Sequence, residues 1–199
     1  MATNLAAAVV SAGQSADLKA VLQKLKISPK ASFELAFNFS CGLIDTGALA
    51  DAADYLSLAK RLGHETLLDE EDMSALEIED ELLPIAVQAA HVASLVGNKE
   101  DAAEGYRVAL ALTNATDAAA QAVAANNLAA LVGPRGGGGG DACKRVEKLM
   151  VADGTFVDAV ARFMSEAQRR VVLKNRAVAL MHGNHLDKCR QSLAALKVP

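Results

Sequence analysis

Apolar and small residues recur along this chain at the spacing of helix faces, and a glycine or an asparagine interrupts them at intervals. Counting outward from Gly47, Ser40 and Leu43 lie seven and four residues before it, and Ala52, Leu56 and Ala59 lie five, nine and twelve after it. The same offsets give Ala6, Val9, Leu18, Leu22 and Leu25 around Gly13, and Ala90, Ala93, Ala102, Tyr106 and Ala109 around Gly97. Around Asn184 they give Ala177, Leu180, Cys189, Leu193 and Leu196. The pattern predicts helical hairpins: a first helix, a tight turn at the reference residue, and a second helix.

The interval from Gly13 to Gly47 equals one period of the tetratricopeptide repeat. Neither helix of such a unit buries its apolar stripe alone, so neighbouring units must stack. Small residues at Ser40, Ala90, Ala177, Ala52 and Ala102 let helices approach, while Leu43, Leu56, Tyr106 and Leu193 fill the space between units. The turn residues belong where a left-handed backbone ends the first helix. The expected fold is an all-α, right-handed solenoid of about four to five helix pairs. Its parts are a partial repeat over 1–30, a repeat over 31–64, an acidic insertion over 65–81 and a repeat over 82–115. A divergent repeat follows over 116–152, starting near Asp117, with its turn near Arg135 inside a mobile glycine-rich loop at 134–140. A linker and a last repeat fill 153–199, the first helix of that repeat being capped by Ser165.

Composition agrees with close-packed helices. Hydrophobic residues make up 52% of the 199, mostly alanine, leucine and valine, with 4% aromatics and no tryptophan. Three widely spaced cysteines make no disulfide framework and indicate a reducing, cytoplasmic setting. No stretch is apolar for long enough to insert in a membrane. The net charge of −4 is unevenly spread: residues 65–81 hold nine acidic and no basic side chains, whereas from Pro134 onward twelve Lys and Arg face six Asp and Glu.

Three stretches invite chemistry. Cys41 sits near Asn38, Ser40 and Asp45, a composition compatible with a thiol hydrolase. No histidine lies in the neighbouring turns, and the repeat explains each residue there, so packing is the simpler account. His182, His185 and Cys189 offer soft ligands, but a fourth is missing and the spacing fits no zinc finger. The run Gly136–Gly140 lacks the Lys-Ser/Thr and the preceding strand of a phosphate loop. No catalytic residue, metal or cofactor is therefore expected.

One feature exceeds what packing demands. Nine residues before each turn stand Asn4, Asn38, Gln88 and Asn175, joined by Asn126 in the divergent repeat. Such amides suit either a peptide held in a concave groove or backbone in the neighbouring helix. Beside them lie Phe37, Val87 and Lys174, and three residues after them Cys41 and His91. These ten residues form the candidate partner-binding groove, mainly apolar and suited to an extended or amphipathic peptide.

The stretches FELAFNFSCGLIDTGALADA, AKRLGHETLLDEED, IEDELLPIAVQAAHVASLVGN, AVAANNLAAL and LKNRAVALMHGN resemble, in order, the tetratricopeptide region of one family. That family is the seventy-two-kilodalton subunit of the signal recognition particle. The resemblance includes the acidic insertion and an Asn126-Asn127 pair, and the five-glycine run departs from it. It implies a scaffold that holds the particle's sixty-eight-kilodalton subunit on its concave surface during co-translational targeting of proteins to the endoplasmic reticulum. Family members contact the particle RNA through a lysine-rich tail with no counterpart here, and the chain reads as a fragment. A chaperone-type repeat adaptor is the alternative, but it would need several Lys or Arg along the first helices where only Lys174 qualifies.

Overall fold

The computed structural model describes residues 2–69, 73–112, 115–150, 156–162 and 164–196. Among them are twelve helices and no strand, with one antiparallel bridge between Met150 and Phe156. The chain forms two compact units, Met1–Asn98 and Lys99–Pro199. The first contains α1 (Ala2–Ser11), α2 (Ser15–Lys24), α3 (Phe33–Asp45), α4 (Leu49–Asp69), α5 (Ala75–Glu81) and α6 (Leu83–Leu95). The second contains α7 (Lys99–Ala111), α8 (Ala118–Val132), α9 (Gly139–Lys148), α10 (Asp158–Ala161), α11 (Glu166–His182) and α12 (Leu186–Ala195). The fold class is all-α, built from helical hairpins, as the repeat pattern requires.

The register is visible in the turns. Gly13, Gly47, Gly97 and Asn184 all have positive φ, between 59° and 90°. At each, the following N–H reaches five residues back: Gln14 to the Val9 carbonyl at 3.0 Å, Ala48 to Leu43 at 2.8 Å, Asn98 to Ala93 at 2.9 Å and His185 to Leu180 at 2.8 Å. This geometry satisfies carbonyls that the helix end leaves open, and it needs a left-handed residue. The small-residue positions Ala6, Ser40, Ala90 and Ala177 are all buried, as are Ala52 and Ala102 on the second helices. Leu22, Leu56 and Tyr106 are buried too, whereas Leu193 on α12 is 46% exposed. Ala52→Leu is expected to overpack the α3–α4 crossing and destabilise by about 1–3 kcal/mol, measured by urea unfolding; a neutral result would show that Ala52 does not set the helix spacing.

The acidic stretch is not wholly a loop. Helix α4 continues to Asp69, and α5 starts from a capping box in which Ser74 and Glu77 bond reciprocally. Ile78 and Leu82, four residues apart, are buried with Leu67 and Ile85 in a core that also holds Ala36, Ala52, Leu56 and Ala59. Glu79 faces His64 at 3.2 Å and Lys60 at 3.7 Å across the α4–α5 seam. An i, i+4 apolar pair among acids is enough to seat one face of α5 while its charges stay in water. Glu70, Glu71 and Asp72 of the insertion lie outside the described residues.

In the second unit, α8 begins at Asp117, whose carboxylate accepts from the Ala120 N–H at 2.8 Å. It ends at Gly133 (φ 72°), two residues before the expected turn. The glycine run is divided rather than uniformly loop: Gly138 (φ 81°) caps α9, and Gly139 and Gly140 are already in its first turn. Ala142 and Val146 of α9 are buried at helical spacing, and Arg107 of α7 donates to the Gly137 carbonyl at 3.1 Å. Ser165 caps α11 as expected, in a capping box with Gln168. Linker residues 151–155 and 163 lie outside the described residues.

Candidate partner-binding surface

The amides of the first helices are partly engaged inside each unit. On α3, Asn38 Nδ2 donates to the Thr3 carbonyl of α1 at 3.2 Å, so α3 is pinned to its neighbour. In the second unit the amides form a relay. Asn175 Nδ2 of α11 donates to Asn126 Oδ1 of α8 at 3.1 Å, and Asn126 Nδ2 donates to Asn127 Oδ1 at 2.9 Å. Asn127 Nδ2 then reaches the Tyr106 hydroxyl of α7 at 3.2 Å. Asn126 is only 3% exposed, where an unpartnered amide would be costly. The structure therefore brings Asn126 and Asn175 together, each leaving part of its hydrogen-bonding capacity for other partners.

The remaining candidates differ in access. Asn4 and Lys174 are exposed, while Gln88 and His91 on α6 are half-buried. Burial lowers the His91 pKa below the ordinary histidine value, so its imidazole is neutral at pH 7. Phe37 is half-buried, with its ring against the core shared by α3, α4, α5 and α6. Val87 on α6 is buried, at 3% exposure. In the first unit α3 packs on α1, α2 and α4, and α6 packs on α4 and α5.

Cys41 has the environment of an inert thiol. Burial pushes it from 9.0 up to about 11; the Ser40 hydrogen bond lowers it in part, and the Asp45 charge raises it further. A catalytic cysteine needs the opposite shift. At pH 8 the thiolate fraction should fall about a hundredfold, and the higher nucleophilicity of a more basic thiolate should restore about tenfold of that. Iodoacetamide labelling of Cys41 in the folded chain, followed by mass spectrometry, should thus run about tenfold slower than for free cysteine. Labelling faster than free cysteine would restore the hydrolase reading. Among the described residues no group of three His, Cys, Asp or Glu side chains is placed to hold a metal ion. Nor is any described helix long and apolar enough to cross a membrane.

Sequence reasoning missed a charged centre in the second unit. Arg176 of α11, 6% exposed, donates Nε and Nη2 to the two carboxylate oxygens of Glu147 on α9, at 2.6 and 3.0 Å. Its Nη1 donates to the fully buried Ser192 hydroxyl of α12. Three helices are joined through one guanidinium. The available signal was faint: Arg176 precedes the small-residue position Ala177 on a face that should otherwise be apolar.

Helical hairpins with left-handed turns, small residues at their crossings and amides linking adjacent first helices make this a tetratricopeptide-type repeat protein. No family model matches the chain. It is 31% identical over 195 residues, 98% of its length, to signal recognition particle subunit SRP72 of Canis lupus familiaris, and equally so to that of Homo sapiens. It is also 33% identical over 105 residues, 53% of its length, to SRP72 of Dictyostelium discoideum. The chain is thus an SRP72-related repeat region, spanning 27% of the length of the two mammalian relatives and 16% of the Dictyostelium one.

Proposed function

We propose that this chain is a non-catalytic, cytoplasmic scaffold region of a signal recognition particle that holds the particle's sixty-eight-kilodalton subunit on the surface of its first helices. The observation that carries the reading is the similarity to SRP72 over 98% of the chain. The hairpin architecture supports it, because the first helices stacked within each unit offer a face on which a peptide can lie. So does the raised pKa of Cys41, a shift opposite to the one an attacking thiol needs. Particle RNA is not bound by these repeats in this reading. The complex serves co-translational targeting to the endoplasmic reticulum.

Co-expression with the sixty-eight-kilodalton subunit and size-exclusion chromatography test this. An equimolar complex is expected. His91→Glu combined with Lys174→Glu should lower its recovery at least about tenfold, the effect of losing ~1.4 kcal/mol, with helicity by circular dichroism unchanged. Absence of a complex with the parent chain would refute the scaffold role, and full recovery with the double variant would move the contact to another face.

A further inference from the structure

The second unit contains a cavity of about 240 Å³ between α8, α9, α11 and the start of α12. We propose that it receives one aliphatic side chain from an acidic segment of a partner protein. The inference rests on the scaffold reading and adds the chemistry of the segment that is held.

The lining has two parts. Ala129, Val146, Ala179 and Leu180 make an apolar interior, with the linked amides of Asn126 and Asn175 in the wall. Lys144, Lys188 and His185 also contribute, and the two lysine side chains are 78% and 60% exposed. The deeper charge is already balanced, because the buried Arg176 is held by both oxygens of Glu147 and by Ser192. The two lysines are less committed. Lys144 pairs with Asp141 across one turn of exposed helix at 3.1 Å, and Lys188 reaches Glu147 only at 3.7 Å. Solvent-exposed pairs of this kind exchange partners readily.

Size and polarity select the occupant. The cavity is smaller than the roughly 300–1,000 Å³ of sites that enclose whole small molecules, so it suits a side chain with a short length of backbone. The amide wall matches peptide groups, which donate and accept. A positive rim over an apolar interior favours leucine or isoleucine flanked by carboxylates and disfavours a basic peptide. Among the described residues that line the cavity there is no Phe, Tyr or Trp, and the single imidazole of His185 is a poor platform for stacking successive nucleic-acid bases.

Fluorescence anisotropy with the full chain tests the assignment. The probe is a capped, labelled heptapeptide with leucine at its centre and three Asp or Glu on each side. It should bind, and changing its leucine to alanine should weaken binding at least tenfold. A version with lysines in place of the acids should not bind. Lys144→Glu with Lys188→Glu, compared at unchanged helicity by circular dichroism, should also weaken binding at least tenfold, as should filling the cavity by Ala179→Phe. Equal affinity of the leucine and alanine probes, or indifference to the lysine reversals, would overturn the proposal. So would displacement of the probe by a single-stranded RNA oligonucleotide or by laurate as effectively as by unlabelled peptide. If the complex with the sixty-eight-kilodalton subunit forms normally while the peptide fails, the cavity assignment alone falls; loss of both removes the scaffold reading as well.

Discussion

Glu147→Ala should be among the most damaging single substitutions in this chain, destabilising it by about 3–5 kcal/mol. The reason is what remains rather than what is lost. Arg176 is 6% exposed and cannot turn its guanidinium into water without leaving the α9–α11–α12 junction. With Glu147 gone, a permanent positive charge stays buried with the Ser192 hydroxyl and the neighbouring Lys188 for company. Deleting both charges is a different matter, since a buried ion pair replaced by apolar side chains of similar volume is often neutral or stabilising. Urea unfolding should therefore show Glu147→Ala shifted to a much lower midpoint, and Glu147→Leu with Arg176→Met close to the parent. A mild effect of Glu147→Ala would mean that the guanidinium is hydrated. Failure of the double variant to recover would mean that the network specifies how the three helices meet, beyond its charge balance.

The hairpins were legible because a repeat states the same constraint several times. Turn residues at fixed offsets, small residues at the crossings and a capping serine at Ser165 each follow from local backbone chemistry, and all three are present in the structure. Helix α5 was less legible: its capping box, Ser74 to Glu77, is written in the sequence, but nine acidic residues point to solvation instead. The Arg176 centre was hidden for a deeper reason. Its carboxylate and hydroxyl lie 29 and 16 residues away, the carboxylate on a helix whose register the glycine run obscured. The amides were recognisable as exceeding the needs of a core, while the choice between ligand and neighbouring helix required geometry. Asn38 spends a donor on the Thr3 carbonyl, and Asn175 spends one on Asn126. Under the proposed scaffold role, what is left for a partner is the remainder: exposed Asn4 and Lys174, half-buried Phe37, Gln88 and His91, and the unused atoms of those amides.

Gly139→Ala should destabilise the second unit by about 2–3 kcal/mol, near the upper end of overpacking effects. Alanine in a helix ordinarily gains about 0.5–1 kcal/mol over glycine, so the expected sign is opposite to the intrinsic preference. A methyl group at Gly139 would run into the Gly133 carbonyl oxygen, with Val132 Cγ2 at 2.9 Å and the Gly133 carbonyl carbon at 3.0 Å. Those atoms belong to the end of α8, and backbone cannot step aside as a flexible side chain can. Gly136 is confined in the same way by the Val132 carbonyl. Gly137 is not: a methyl there would meet only the far end of Arg107, at 3.6 Å. The run is thus a close turn of one chain over itself, in which some glycines are required and others are not. Gly137→Ala should be within about 1 kcal/mol of the parent, with any gain coming from a less flexible unfolded chain. Urea unfolding of the two variants side by side checks this, and equal stability would show that the run acts only as a flexible connector.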